Sequence, residues 1–190
     1  MYRDKTVGVV VPAYNEEGFV GEVIDTMPEY VDRVYIIDDK STDGTWQEIR
    51  EHAVKVNKKH EFDEKVKEEY GFEQKIVPIQ HEENKGVGGA LKTGYLLAID
   101  DELDVTAVMG GDGQMDPDNL HLLLDPIVEG KADYAKGNRL MHYSYRQDMT
   151  KWRFIGNAIL TFLTKIASGY WKTMDPQNGY TAISKYALKN

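Results

Sequence analysis

Apolar positions in this chain cluster into short unbroken runs, and three of these end in loops rich in carboxylates. Val7-Gly8-Val9-Val10-Val11 leads into Pro12-Ala13-Tyr14-Asn15-Glu16-Glu17. Val34-Tyr35-Ile36-Ile37 leads into Asp38-Asp39-Lys40-Ser41-Thr42-Asp43-Gly44, and Val105-Thr106-Ala107-Val108-Met109 into Gly110-Gly111-Asp112-Gly113-Gln114-Met115-Asp116. Runs without alternation predict strands buried on both faces, as in a parallel sheet. Parallel strands bring their C-terminal ends to one edge, where open α/β sheets bind ligands. The carboxylates are therefore expected to converge on one crevice, suited to a metal-bound nucleotide.

Between these runs the spacing turns helical. Phe19, Val20, Val23, Ile24 and Met27 share one face, with Pro28 as a stop. Ser41, Thr42 or Asp43 can cap the next helix, which carries Trp46, Ile49 and Ala53. The charged stretch from His52 to Gln74 predicts an extended, largely solvated helical connection ending at Gly71. Lys75 to Ile79 reads as a short strand whose Pro78 favours a sheet edge. Asn84-Lys85-Gly86-Val87-Gly88-Gly89 opens a helix through Ala98, and Pro117 suits the first turn of a helix bearing Leu120, Leu123, Leu124, Ile127 and Val128. A strand from Asp133 to Lys136 leads to Gly137-Asn138-Arg139. A helix from Trp152 to Ile166 has an apolar face, expected to be an ordinary core face rather than an interfacial one. Asp175-Pro176-Gln177-Asn178-Gly179 precedes a last strand, Tyr180 to Ile183. Alternating strands and helices make the chain α/β.

Composition narrows the possibilities. The 190 residues, 41% of them hydrophobic, are enough for one full core, which predicts a single domain over 1–190. A net charge of −9 gives no basic footprint for nucleic acid. The absence of cysteine removes disulfides and thiolate metal sites and fits a reducing compartment. No apolar run reaches the roughly 18–20 residues a bilayer span needs, so the expectation is a cytoplasmic chain.

Asp112 is the sharpest candidate for chemistry. Two glycines before it let a ligand approach the backbone. A nucleoside diphosphate carries charge of the same sign, a conflict that Mg²⁺ or Mn²⁺ resolves by binding carboxylate and phosphate oxygens together. Asp and Gly also favour turns on their own account, so Asp112 and Asp116 fit a plain turn as well. Asp38-Asp39 exceeds what a helix cap needs, and a carboxylate there can accept hydrogen bonds from a base or a ribose. Glu16 and Glu17 suit a helix start, while Tyr14 is placed to lie against a base. His81, His121 and His142 fall at no metal-ligand spacing and receive no site.

These strings resemble a family. Val9 to Glu17, Asp38 to Thr45, Asn84-Lys85-Gly86, Asp112-Gly113-Gln114, Lys136 to Arg139 and Asp175 to Tyr180 are similar, in this order, to family 2 glycosyltransferases of the dolichol-phosphate mannose synthase-like branch. The resemblance implies a GT-A-like fold: a Rossmann-related three-layer sandwich with a largely parallel sheet. It also implies a UDP- or GDP-sugar donor, and contacts from Pro12, Tyr14 and Glu16 to the nucleoside. Asp39 would hold the base or ribose, Asp112 the metal or diphosphate, and Gln114 the sugar. Arg139 would face a phosphate, and Asp175 would be the general base for a hydroxyl acceptor. One departure stands out: the family's metal motif often has two acids separated by one residue, and Gly110 occupies the first position here. A polyprenyl or dolichyl phosphate is the expected acceptor, with a sugar hydroxyl as the alternative and peripheral association with the cytoplasmic face of a membrane. A receiver-like signalling module and a non-catalytic nucleotide-sugar binder are the rival readings.

Overall fold

The computed structural model describes residues 1–62, 64–138, 151–169 and 178–190. The chain forms two compact units, one of Met1–Ala135 with Tyr180–Asn190 and the other of Lys136–Gly179. In chain order the strands are β1 (Val7–Ala13), β2 (Arg33–Asp38), β3 (Ile76–Gln80), β4 (Val105–Val108), β5 (Tyr134–Lys136) and β6 (Thr181–Ser184). They form one sheet in the order β3-β2-β1-β4-β6-β5. β3, β2, β1 and β4 run parallel, and β6 pairs antiparallel with β4. Pro78 lies in the edge strand β3, where a missing N–H is tolerated. Pro12 escapes the same penalty because β4 ends opposite Val10, two residues earlier.

The helices are α1 (Val20–Asp25), α2 (Thr45–Lys59), α3 (Glu64–Tyr70), α4 (Gly86–Asp100), α5 (Leu120–Val128), α6 (Lys151–Ser168) and α7 (Lys185–Lys189), with a short 3₁₀ turn at Pro117–Asn119. Successive strand residues point to opposite faces, and both faces are covered. Val9, Val11, Val34, Ile36, Val105 and Ala107 join residues of α1, α2 and α5 in one core. Val10, Tyr35, Ile37 and Val108 join Ala90 and Ala98 of α4 in the other. This is the expected three-layer α/β sandwich. α4 lies so close to β1 that a Cβ on Gly94 would meet Val10 Cγ1 at 2.3 Å.

Two expectations change. The charged connection after α2 is not merely solvated: α3 buries Val66, and Phe72 follows Gly71 (φ 64°) back into the second core. Its apolar positions are too sparse to show a helical stripe, so only tertiary packing reveals them. The expectation of a core face on α6 is also corrected. Ile159, Phe162, Leu163 and Ile166 are each more than half exposed. No described helix is long and apolar enough to cross a membrane.

Candidate active site

The loops after β1, β2 and β4 meet at one edge of the sheet and are stitched together by their own polar side chains. Asn15, in the left-handed region (φ 55°), accepts the Thr42 N–H at 2.8 Å, and its own N–H donates to Ser41 Oγ at 2.9 Å. The Glu16 N–H donates to Thr45 Oγ1 at 2.8 Å, and that hydroxyl donates to Asp43 at 2.5 Å. Of the three possible caps, Asp43 holds the start of α2 by accepting the Thr45 N–H at 3.0 Å. Glu17 accepts the Gly44 N–H at 2.9 Å. Gly111 closes the third side: its N–H donates to Pro12 O at 3.3 Å, and a Cβ there would crowd Pro12 O and Ala13. Gly111 thus serves close packing of this loop on the end of β1.

On this frame the two adjacent aspartates separate. Asp38 is fully buried and occupied: it accepts the Ser41 hydroxyl, and its other oxygen accepts Gln80 Nε2 at 2.7 Å. It shapes the loop. Asp39 turns the other way, with Oδ1 2.7 Å from His81 Nδ1 and 2.9 Å from the Lys85 N–H that donates to it. Burial of Asp39 works against its charge. The Lys85 N–H and His81 outweigh burial and hold its carboxyl below the usual range.

Glu16 shows the opposite balance. Burial pushes the Glu16 carboxyl above its ordinary range, and the charges of Asp112 and Asp43 push it further. Among the described residues, no salt bridge reaches Glu16 or Asp112. Asp112 is half-buried and accepts the Gln114 N–H at 3.1 Å, a tight turn made possible by Gly113 (φ 70°). Gly110 has a clear physical role here, because a Cβ at that position would stand 2.9 Å from Asp112 Oδ1. The missing acid leaves room for the Asp112 carboxylate to fold back over the loop. Tyr14 is 46% exposed, and Gln114 is exposed on the same loop as Asp112. Pro12 is partly buried, with its carbonyl committed to Gly111.

Pro12, at the end of β1, and Tyr14, Glu16, Asp39, Asp112 and Gln114, in the loops, thus all sit at this strand-end edge. Arg139 and Asp175 lie outside the described residues. A cavity of about 380 Å³ beside the Asp112 loop is lined by Glu22, Thr26, Asp116 and Asp118 among others, but by none of these six. No described group of three or more His, Asp or Glu side chains is disposed to hold a metal by itself. His81 is the residue the sequence did not reveal, because it reaches Asp39 across 42 positions, with no local spacing to announce it.

The family model for glycosyl transferase family 2 matches residues 8–190. The chain belongs to that family. It is 33% identical over 187 residues to the UDP-N-acetylglucosamine–dolichyl-phosphate N-acetylglucosaminyltransferase of Methanococcus voltae, covering 98% of this chain and 72% of that protein. It is 25% identical to the dolichol-phosphate mannosyltransferase of Pyrococcus furiosus, with 96% of this chain and 47% of that protein covered. Glucosyl-3-phosphoglycerate synthase from Mycobacterium tuberculosis, crystallised with Mn²⁺, UDP and glucosyl-3-phosphoglycerate, has the same fold. The TM-score is 0.65 at 18% identity, covering 96% of this chain and 58% of that one. The chain is thus a family 2 glycosyltransferase of GT-A fold, spanning about half to three quarters of the length of these relatives.

Proposed function

We propose that the chain acts as one catalytic domain over residues 1–190. In this reading it moves a sugar from a UDP- or GDP-sugar to a polyprenyl or dolichyl phosphate with inversion at the anomeric carbon. The observation that carries the donor half is the meeting of Glu16, Asp39 and Asp112 at the C-terminal ends of three adjacent parallel strands, with like charge between Glu16 and Asp112 that no cation among the described residues pairs. A nucleoside diphosphate with a divalent cation complements that arrangement.

Asp39 accepts hydrogen bonds from the base or ribose, and the Tyr14 ring lies against the base, with Pro12 and Glu16 completing the nucleoside site. Asp112 is the protein ligand for Mg²⁺ or Mn²⁺. The donor set fits, because such ions use one or two carboxylates and complete their shell with phosphate and water oxygens. When bound, the cation supplies charge neutralisation on the departing diphosphate. Gln114 contacts the sugar. In the transfer itself, an acceptor oxygen forms its bond to the anomeric carbon as the bond to the diphosphate oxygen breaks, and the electron pair leaves with the diphosphate. A phosphate acceptor is already ionised and loses no proton, so it calls for a cation, and Arg139 is assigned that role. A hydroxyl acceptor would instead need Asp175 as general base, worth about 10²–10⁴-fold.

The named activities of the Methanococcus and Pyrococcus relatives support the lipid phosphate. The exposed apolar side chains Ile159, Phe162, Leu163 and Ile166 of α6 support peripheral association with a membrane, which in this reading is at its cytoplasmic face. The test is transfer from UDP- and GDP-sugars to a short polyprenyl phosphate and, separately, to simple sugar acceptors. Arg139→Ala should damage transfer more than Asp175→Asn. Robust transfer to sugar hydroxyls, silent with the lipid phosphate and lost in Asp175→Asn, would replace this acceptor.

A further inference from the structure

His81 lies just past β3 and is almost fully enclosed: its side chain is 5% exposed and that of Asp39 is 4%. It touches three elements. Its backbone N–H donates to Asp38 O at 2.9 Å. Its Nδ1 lies 2.7 Å from Asp39 Oδ1, and its Nε2 lies 2.9 Å from the Thr93 hydroxyl on α4. An ionised carboxylate has no proton to give, so Nδ1 must be the donor in the first bond. The Thr93 hydroxyl also lies 3.1 Å from Gly89 O in the preceding turn of its helix, and its single proton is shared between that carbonyl and Nε2. The imidazole is thus clamped at both ring nitrogens between a helix and the end of β2.

We infer that His81 is a positioning residue for nucleoside recognition, holding the Asp39 carboxylate so that Oδ2 is presented to the incoming base or ribose. The inference rests on the reading of Asp39 as the nucleoside-binding acid. Both bonds described above converge on Oδ1, one from the ring and one from the Lys85 backbone. Rotation of the carboxylate would break them together. Asp39 is therefore set before a ligand arrives, and binding does not have to order it.

Two substitutions split the imidazole into its halves. The Asn amide places a donor near the Nδ1 position and keeps the bond to Asp39. The Gln amide reaches the Nε2 position and keeps only the side towards Thr93. UMP and GMP are titrated calorimetrically in Mn²⁺-free buffer, with pyrophosphate plus Mn²⁺ as a probe that lacks a base. Loss of a hydrogen bond to a charged group predicts about tenfold or more weaker nucleotide binding in His81→Gln. His81→Asn should restore most of that loss, and pyrophosphate binding should be unchanged in both. Equal losses in both variants that extend to pyrophosphate and follow a lowered Tm would show a structural role only and overturn the inference. Asp39→Ala separates the two layers. Parental UMP and GMP binding in Asp39→Ala refutes the reading of Asp39 itself. Loss there with parental binding in both His81 variants refutes only the role of His81. Should His81→Gln fail to fold, Thr93→Val tests the chain one link further out: about threefold weaker nucleotide binding supports the inference, and unchanged binding overturns it.

Discussion

At the N-terminal ends of the strands, acids sit beside their partners. Asp32 accepts the chain's terminal ammonium at 2.7 Å and the Val7 N–H at 2.9 Å. Asp104 holds both the N–H and the hydroxyl of Thr6, and Asp101 pairs with Arg33 at 2.8 Å. At the C-terminal ends, Glu16 is pushed up by burial and by Asp112, with no described cation to answer either carboxylate. The residue types are alike, but their electrostatic balance is opposite. One edge is compensated internally and serves stability. Among the described residues, the other is left with excess negative charge that a bound cation and its nucleotide can satisfy.

Substitutions at the two edges should therefore separate activity from stability. The largest expected effect is that of Asp112→Asn on transfer. Loss of a metal contact that stabilises the leaving diphosphate should slow turnover by on the order of a hundredfold or more. The same change removes repulsion on Glu16, so the Tm at neutral pH should stay level or rise. Asp32→Ala should do the reverse: about 2 kcal/mol lower stability in urea unfolding, because the buried Val7 N–H loses its acceptor, and unaltered KM for the donor. A loss of stability in Asp112→Asn with normal turnover would erase the distinction.

A smaller effect concerns Lys75, which is buried beside Pro28 and Glu29 and donates to Pro28 O at 2.8 Å. Burial brings its pKa down to about 8, against about 10.4 in an unfolded chain. Between these values the unfolded state binds more protons, so stability should rise with pH across that window. Lys75→Met should flatten that rise in unfolding curves taken at pH 8 and pH 10. Equal pH slopes in parent and variant would contradict the assignment. Asp39 gives the acid-side counterpart. Its lowered carboxyl contributes stability above the ordinary pKa of about 3.9, lost as pH falls towards the folded value. His81→Gln should shift acid unfolding to higher pH, and an unshifted midpoint would show that the His81 bond does not lower Asp39.

The same contrast explains what the sequence could disclose. Val9, Ile36 and Ala107 announce buried strands because every position in such a run is apolar, and the acids that follow are then placed by topology alone. The fold and the membership of Asp39 and Asp112 in one edge were legible for that reason. The division of labour between Asp38 and Asp39 was not, since it depends on which way each side chain turns at the strand end. His81 was invisible for a related reason: its partners Asp39 and Thr93 come from different elements, and only the packing of α4 against the sheet brings them together. The exposed face of α6 looks identical in sequence to a core face, because helical periodicity records amphipathicity and not what covers it.

The most direct test of the account is calorimetric titration of UDP and GDP, with and without Mn²⁺, into the parent protein, Asp39→Ala and Asp112→Ala. The account predicts that Asp39→Ala weakens binding with or without the ion. It predicts that Asp112→Ala abolishes the gain from Mn²⁺ while leaving the ion-free affinity near the parental value. Equal effects of both substitutions under both conditions, or a full Mn²⁺ gain retained without Asp112, would contradict it.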